Sequence, residues 1–137
     1  MFDNKSILIT GGTGSFGQKY TKTILERYKP KRLIILSRDE LKQYEMAKVY
    51  SKEQYPQVRF FIGDVRDLSR LKRACEGIDV IIHAAADTSV WPNRSEKVRD
   101  VNIRGTEYLI EEAMRSRVNR FIYVSSASAF QWGPQHS

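Results

Sequence analysis

The apolar residues of this chain are concentrated in five short runs separated by longer, mixed segments. The runs cover residues 5–10, 32–36, 58–62, 79–83 and 120–125. They are rich in β-branched and aromatic residues, and turn-forming residues border them, which is typical of short buried strands. The pattern therefore predicts five strands.

The segments between the runs have helical spacing. The first helix is predicted by apolar residues that recur every four positions and stop before Pro30, namely Phe16, Tyr20, Ile24 and Tyr28. In the second, Asp39 is the expected N-cap, and the predicted inward residues are Leu41, Tyr44 and Ala47.

Two further helices are predicted in the second half of the chain. Residues 68–75 form a short helix that Gly77 stops. A longer helix follows the fourth strand, with one face made by Val98, Val101, Gly105, Leu109 and Ala113. Strands that are apolar on both faces and alternate with helices indicate a parallel sheet covered on both sides. The expected fold is a doubly wound α/β sheet, with residues 1–137 as one domain and no internal repeat or linker.

Composition and charge narrow the function classes. Apolar residues make up 41% and charged residues 28% of the 137, as in soluble globular proteins. Cys75 is the only cysteine, which excludes an internal disulfide and a cysteine-built metal site. We expect a cytoplasmic protein without a signal peptide or membrane span. The net charge is +7, but the basic residues are scattered among acidic ones, so nucleic-acid binding is not expected.

A glycine-rich turn between the first strand and the first helix carries the main chemical signal. It reads Thr10-Gly11-Gly12-Thr13-Gly14-Ser15-Phe16-Gly17. Gly11 permits a tight turn, Gly14 lets the backbone approach a pyrophosphate, and Gly17 lets the helix pack against the strand. The helix N-terminus beyond it favours an anion. This strand–turn–helix setting predicts a Rossmann-type dinucleotide site that involves Thr13, Ser15 and Phe16 as well.

The end of the second strand indicates which dinucleotide is bound. An NAD enzyme usually has an acid there for the ribose hydroxyls, whereas this chain has Ser37-Arg38. Arg38 can pair with a 2′-phosphate, with Ser37 as a hydrogen-bond donor and Lys42 as a second charge. NADP is therefore expected, with NAD as the alternative. In the competing interpretation, Arg38 is a solvated surface charge and Asp39 is only a helix cap.

Residues after the third and fourth strands extend the predicted site. Asp64-Val65 would lie beside the adenine. Because Asp67 can cap the following helix, Asp64 is not needed as a cap, which favours its interpretation as a ligand-binding residue. After the fourth strand come Ala84, Ala85 and Ala86, whose small side chains allow a cofactor to lie against the backbone. His83 is interpreted as a structural residue.

These motifs, together with Asn102 and Ser125-Ser126, resemble the extended short-chain dehydrogenase/reductase superfamily. Residues 7–47 and 59–67 are more similar still to inverting UDP-N-acetylglucosamine 4,6-dehydratases of the polysaccharide-biosynthesis family. The resemblance implies an NADP-dependent enzyme that removes hydride from C4 of a nucleotide sugar, with Ser126 at the substrate and Asn102 behind the cofactor site. A homo-oligomer is compatible with this resemblance.

The second half departs from that dehydratase pattern. Residues 87–91 and 126–128 look more like sugar-nucleotide epimerases or dihydroflavonol-reductase-like enzymes. The family's Tyr-x-x-x-Lys pair is expected in a helix after the fifth strand. The 137 residues do not include such a helix, so we expect the chain to be a fragment that lacks the pair. The match at Tyr44 and Lys48 is interpreted as coincidental, with Tyr44 facing the core. A non-catalytic NADP-binding sensor remains the alternative to an enzyme.

Overall fold

The computed structural model describes residues 1–84 and 103–124. The strands are β1 (Ser6–Thr10), β2 (Arg32–Ser37), β3 (Val58–Ile62), β4 (Val80–His83) and β5 (Arg120–Tyr123). The helices are α1 (Ser15–Arg27), α2 (Glu40–Val49), α3 (Leu68–Ala74) and α4 (Gly105–Arg115). The five predicted strands are thus confirmed, and strands and helices alternate along the described chain.

The five strands form one parallel sheet in the order β3-β2-β1-β4-β5. The chain therefore builds outward from β1 in one direction and then returns to add β4 and β5 on the other side. In such sheets a crevice opens at the carboxyl ends of the strands, where the strand order reverses. Here that point lies between β1 and β4, and the glycine turn follows β1 directly.

Both faces of the sheet are covered, as a doubly wound fold requires. On one face Leu8 and Ile81 pack with Leu71 of α3 and Leu109 of α4. On the other face Ile9 and Ile35 pack with Ile24 of α1 and Met46 of α2. Because successive strand residues point to opposite faces, the central residues of β1, β2 and β4 are apolar on both sides of the sheet. The expected α/β Rossmann-type sheet is confirmed.

Three expected helix ends, the starts of α2 and α3 and the end of α3, are also confirmed. The Asp39 side chain accepts a hydrogen bond from the Lys42 amide, and the Asp67 side chain accepts one from the Arg70 amide. Gly77 has a φ of +68°, a conformation that favours glycine, directly after α3. On α4 the predicted face is buried at Gly105, Leu109 and Ala113, while Val98 and Val101 lie outside the described residues.

The apolar face predicted for α1 is confirmed at three of its four residues. Ile24 is fully buried, and Tyr20 and Tyr28 are partly buried against the same core, whereas Phe16 is 43% exposed. The start of α1 lies against the glycine turn through Gly17, a contact that the apolar spacing does not record.

The predicted inward face of α2 is wrong. Its buried residues are Gln43 and Met46, whereas the predicted Leu41 and Tyr44 are exposed and Ala47 is only partly buried. The Gln43 amide donates hydrogen bonds to the carbonyl oxygens of Ser37 and Phe61. This polar residue therefore sets which side of α2 faces the sheet. The prediction that Tyr44 faces the core is therefore wrong, because its side chain is exposed.

His83 is a fully buried polar residue that joins three elements. Its Nδ1 lies 2.6 Å from the Thr10 hydroxyl at the end of β1, and its Nε2 lies 2.8 Å from the Thr106 hydroxyl on α4. The Thr10 hydroxyl also accepts a hydrogen bond from the Ala84 amide. Burial lowers the pKa of His83 to about 4. These contacts support the interpretation of His83 as a structural residue.

The orientation of α2 can be tested with two substitutions of one helix. Gln43→Met should lower the free energy of unfolding by about 1 to 3 kcal/mol, because the side-chain amide that donates to the Ser37 and Phe61 carbonyl oxygens is lost. Tyr44→Met should change it by less than about 0.5 kcal/mol, because Tyr44 is exposed. Urea unfolding of both variants would show this, and a larger loss in Tyr44→Met would contradict the observed orientation.

The buried imidazole of His83 should make stability depend on pH. The unfolded chain takes up a proton on this residue below a pH of about 6.5, whereas the folded chain resists protonation down to about 4. The contribution of His83 to the free energy of unfolding is therefore fully present above pH 6.5. It is lost as the pH falls from 6.5 to 4, and the loss is about 3 kcal/mol at most.

Urea unfolding of the wild type and of His83→Gln at several pH values would measure this contribution. Carboxylates titrate in both proteins, so the difference between the two isolates the histidine. His83→Gln should be less stable at pH 7 and should show a flatter decline below it. Parallel curves would exclude this role of His83.

Candidate functional site

The glycine turn lies at the carboxyl end of β1, on the crevice side of the sheet. Gly11 has a φ of +67°, which glycine adopts without strain, so its predicted role in the tight turn is supported. A Cβ atom at Gly17 would lie 2.5 Å from the Gly12 Cα and 2.6 Å from the Gly11 carbonyl oxygen. Gly17 thus brings α1 against the turn itself. Its close packing was predicted, although the partner is the turn and not the strand.

Gly14 is different from these two glycines. A Cβ atom there would meet only the Gly11 carbonyl oxygen, at 3.5 Å, and the φ of Gly14 is −73°. Neither packing nor backbone conformation within the described part of the chain requires a glycine at this position. The space beside Gly14 is consistent with the predicted close approach of a ligand.

The N-cap of α1 is Gly14, which has no side chain to cap the helix. No side chain of residues 1–84 and 103–124 accepts from the first amides, and the first turn contains no acidic residue. By contrast, α2 and α3 each begin with an aspartate cap, at Asp39 and Asp67. An uncapped helix N-terminus carries partial positive charge from its amides and its dipole. Among the three helices that follow β1, β2 and β3, α1 is the one whose N-terminus can best accept an anion.

Gly12 is a site residue that the sequence reasoning missed. A Cβ atom at Gly12 would lie 2.4 Å from Cγ2 of Ile35 on β2. The Gly11 amide also donates to the Leu36 carbonyl oxygen over 2.9 Å. The turn is therefore held directly against β2. The doubled glycine at positions 11 and 12 was the available signal, because only one of them is needed for the positive φ.

Thr13 and Ser37 connect the glycine turn to the end of β2. The Thr13 hydroxyl donates to the Ser37 hydroxyl oxygen over 3.0 Å, and that oxygen also accepts from the Asp39 amide over 3.1 Å. Both residues are buried. Only the Ser37 hydroxyl proton is then left for the predicted donation to a ligand, which stays a prediction. The main observed role of this pair is to fix the turn relative to the start of α2.

Arg38 and Lys42 lie at the carboxyl end of β2 and in the first turn of α2. The Arg38 side chain is 45% exposed, and Lys42 is exposed as well. The acidic side chain nearest in sequence, Asp39, accepts a hydrogen bond from the Lys42 amide. The end of β2 therefore presents cationic side chains, while the adjacent carboxylate is used as a cap.

Asp64 and Val65 follow β3 at the same edge of the sheet. The Asp64 carboxylate accepts hydrogen bonds from the Arg66 guanidinium, and these bonds, with further help from Arg38, hold its pKa below the usual range. Asp64 is therefore ionised and one-quarter exposed. The Val65 side chain is buried against Gly105, where a Cβ atom would lie 2.5 Å from Val65 Cγ2. Any contact of Val65 with a ligand would thus involve its main chain.

The remaining predicted site residues are only partly within the described structure. Ala84 follows β4, and its amide donates to Thr10. Four predicted residues lie outside the described residues, namely Ala85, Ala86, Asn102 and Ser126. Tyr44 and Lys48 lie together on the outer side of α2, with Lys48 Nζ 4.6 Å from the Tyr44 ring centroid. This position beside β3 is distant in topology from β4 and β5 and supports the interpretation that the pair is coincidental.

The described residues offer neither a metal-binding cluster nor a membrane-spanning helix. Within 1–84 and 103–124, no three His, Cys, Asp or Glu side chains are grouped so that they could hold a metal ion. None of the helices in these ranges has the length and apolar character needed to cross a membrane.

The chain is similar to known proteins along nearly its whole length. It is 49% identical over 132 residues to the inverting UDP-N-acetylglucosamine 4,6-dehydratase of Campylobacter jejuni serotype O:2. This alignment covers 94% of this chain and 38% of that relative. The structure of Pen from Bacillus thuringiensis superposes with a TM-score of 0.86 at 31% identity, covering 96% of this chain and 40% of Pen.

A dTDP-glucose 4,6-dehydratase of Streptomyces venezuelae, the DesIV double mutant with NAD and DAU bound, superposes with a TM-score of 0.77 at 28% identity. The superposition covers 88% of this chain and 39% of the DesIV chain. The chain thus spans about two-fifths of the length of these relatives. The family model for polysaccharide biosynthesis proteins matches residues 7–132. This chain therefore belongs to the polysaccharide biosynthesis protein family.

Proposed function

We propose that this chain is the NAD(P)-binding part of an enzyme that modifies nucleotide sugars, with the chemistry of an inverting UDP-N-acetylglucosamine 4,6-dehydratase. Residues 1–137 would form a single dinucleotide-binding domain of a longer fold. The identity of 49% extends over 132 residues and so includes the second half, which supports a dehydratase over an epimerase. The single buried cysteine fits a cytoplasmic enzyme.

The observation that carries this proposal is the open N-terminus of α1 beside Gly14. The turn is built from glycines whose positions bring β1, β2 and α1 into close contact, yet no residue in the described ranges occupies the space at Gly14. A pyrophosphate placed there would accept hydrogen bonds from the helix amides and would be stabilised by the helix dipole. The same turn lies at the reversal of strand order, where open α/β sheets bind their ligands.

NADP is the proposed dinucleotide. A 2′-phosphate at the end of β2 would find Arg38 exposed and Lys42 one helical turn further on. NAD binding usually relies on a carboxylate that accepts from the ribose hydroxyls, but the Asp39 carboxylate caps α2. The charges at this edge therefore favour an additional phosphate over a free hydroxyl.

When bound, the nicotinamide would accept and return hydride at the sugar. The residues of this chain would bind and orient it. The small residue Ala84 and its two alanine neighbours would let the cofactor lie against the end of β4, and Asp64 would accept from the adenine amine. Ser126 would contact the substrate, and Asn102 would lie behind the cofactor site. The proposed substrate is a nucleotide sugar, and no nucleic-acid partner is proposed.

Gly14→Ala tests the anion site without disturbing the fold. It should raise the Kd for NADPH by about tenfold, because a methyl group would occupy the space of the pyrophosphate. Its free energy of unfolding should fall by at most about 1 kcal/mol, since alanine is a weaker N-cap than glycine.

Gly17→Ala is the contrasting variant. It should lose about 2 to 3 kcal/mol of stability, because its Cβ would strike backbone atoms of the turn. Fluorescence titration with NADPH and urea unfolding of both variants would separate binding from folding. Unchanged NADPH binding by Gly14→Ala would refute the proposed position of the pyrophosphate.

Arg38→Gln tests the preference for NADP. The Kd for NADPH should rise by about tenfold, equivalent to about 1.4 kcal/mol, while the Kd for NADH should stay within about twofold. The matched control is Arg120→Gln, which removes the same charge from the start of β5 at the opposite edge of the sheet. Titration of both variants with both dinucleotides is the measurement. An equal loss of NADPH and NADH binding by Arg38→Gln would contradict the phosphate role.

A further inference from the structure

The Asp64 carboxylate is held almost entirely by Arg66, two residues further on. Asp64 Oδ1 accepts from the Arg66 main-chain amide at 2.9 Å and from Arg66 Nε at 3.1 Å. Asp64 Oδ2 accepts from Arg66 Nη2 at 2.7 Å. The guanidinium thus binds both carboxylate oxygens, which is the strong two-pronged arrangement of arginine with a carboxylate.

Arg38 approaches the same carboxylate from another element. Its Nη1 lies 3.9 Å from Asp64 Oδ2, which is close enough for charge attraction but too far for a hydrogen bond. The Arg38 side chain is 45% exposed, compared with 32% for Arg66. Asp64 therefore has two cationic neighbours but is committed to one of them. Its lowered pKa means that its negative charge persists at neutral pH.

We propose that Arg66 is a positioning residue that determines dinucleotide preference by keeping the Asp64 carboxylate from capturing Arg38. This inference rests on the proposed function, in which Arg38 binds the 2′-phosphate of NADP. A partly buried carboxylate requires a counter-charge. Without Arg66, the nearest remaining cation in the described part of the chain is Arg38, and its guanidinium would turn towards Asp64. The donors that a phosphate needs would then be occupied.

This arrangement gives Asp64 two separable effects on ligand binding. Its carboxylate can accept from the adenine amine, and this contact is common to NADP and NAD. Its attraction for Arg38 acts only on NADP, because only NADP has the 2′-phosphate. A change in overall affinity therefore reports the adenine contact, whereas a change in the ratio of the two affinities reports the competition for Arg38.

The test measures Kd for NADPH and NADH by fluorescence titration of the 137-residue chain. Arg66→Gln should lower the ratio of the NADH Kd to the NADPH Kd by about fivefold, mainly through weaker NADPH binding. The double variant Arg66→Gln with Asp64→Asn should restore the ratio to within about twofold of Asp64→Asn alone, because no carboxylate remains to capture Arg38. Arg73→Gln, an exposed arginine on α3, should leave the ratio unchanged.

Two results would overturn the inference. One is an unchanged ratio in Arg66→Gln. The other is a ratio that stays low in the double variant, which would mean that Arg66 contacts the phosphate itself. Should Arg66→Gln fail to fold by circular dichroism, Arg66→Lys serves instead. Lysine keeps the charge but cannot bind both oxygens, so it should lower the ratio in the same direction by a smaller factor, and an unchanged ratio there would equally overturn the inference.

Failure of the proposed function is distinguishable from these outcomes. A wild-type chain that binds neither dinucleotide, or binds NADH as tightly as NADPH, would overturn the proposed NADP function and this inference with it. A wild-type chain that prefers NADPH, with the same preference in Arg66→Gln, would overturn the inference alone.

Discussion

The contact between the glycine turn and its surroundings is the constraint on which the rest of the structure depends. At Gly12 the turn lies against Ile35 of β2, and at Gly17 the helix α1 lies against the turn. Each contact leaves no room for a Cβ atom. Together they place the first amides of α1 directly at the carboxyl end of the central strand. Because β1 pairs with both β2 and β4, this placement also puts the helix N-terminus at the reversal of strand order.

Buried polar groups reinforce the same edge of the sheet. Thr13 and Ser37 link the turn to the end of β2, and His83 links the ends of β1 and β4 to α4. A buried hydroxyl or imidazole without a partner would cost about 1 to 3 kcal/mol, so these links also fix the geometry. The edge that faces the proposed ligand is therefore held by directional bonds, whereas the middle of the sheet is held by apolar packing. This division favours a rigid, preorganised ligand site.

Charges at this edge are distributed unequally among the helix N-termini. Asp39 and Asp67 neutralise the starts of α2 and α3, whereas α1 begins without a cap. The arginines are also engaged to different degrees, since Arg66 binds Asp64 closely and Arg38 remains beyond hydrogen-bond distance. An anionic ligand would therefore meet positive potential at two places, the start of α1 and the end of β2. The pyrophosphate and the 2′-phosphate of NADP would suit these two places.

The sequence by itself determined the features that depend on neighbouring residues. Features that depend on local sequence were predictable. They are the five strands, the aspartate caps of α2 and α3, the stop at Gly77 and the turn at Gly11. Apolar runs, helix capping and positive φ are each set by residues close together in the sequence. The fold class followed from them, since apolar strands alternating with helices have few other arrangements. The resemblance of the glycine motif to a known family pointed to the same fold.

Only the tertiary structure decided which side of α2 faces the sheet, how closely α1 approaches the glycine turn, and which partner each charged residue takes. The inward position of Gln43 depends on the Phe61 carbonyl, 18 residues away, and the position of α1 depends on backbone contacts that apolar spacing does not record. The choice of Asp64 between Arg66 and Arg38 likewise depends on the distance between β2 and β3. These outcomes could not be read from the sequence because they arise from contacts between segments that are distant along the chain.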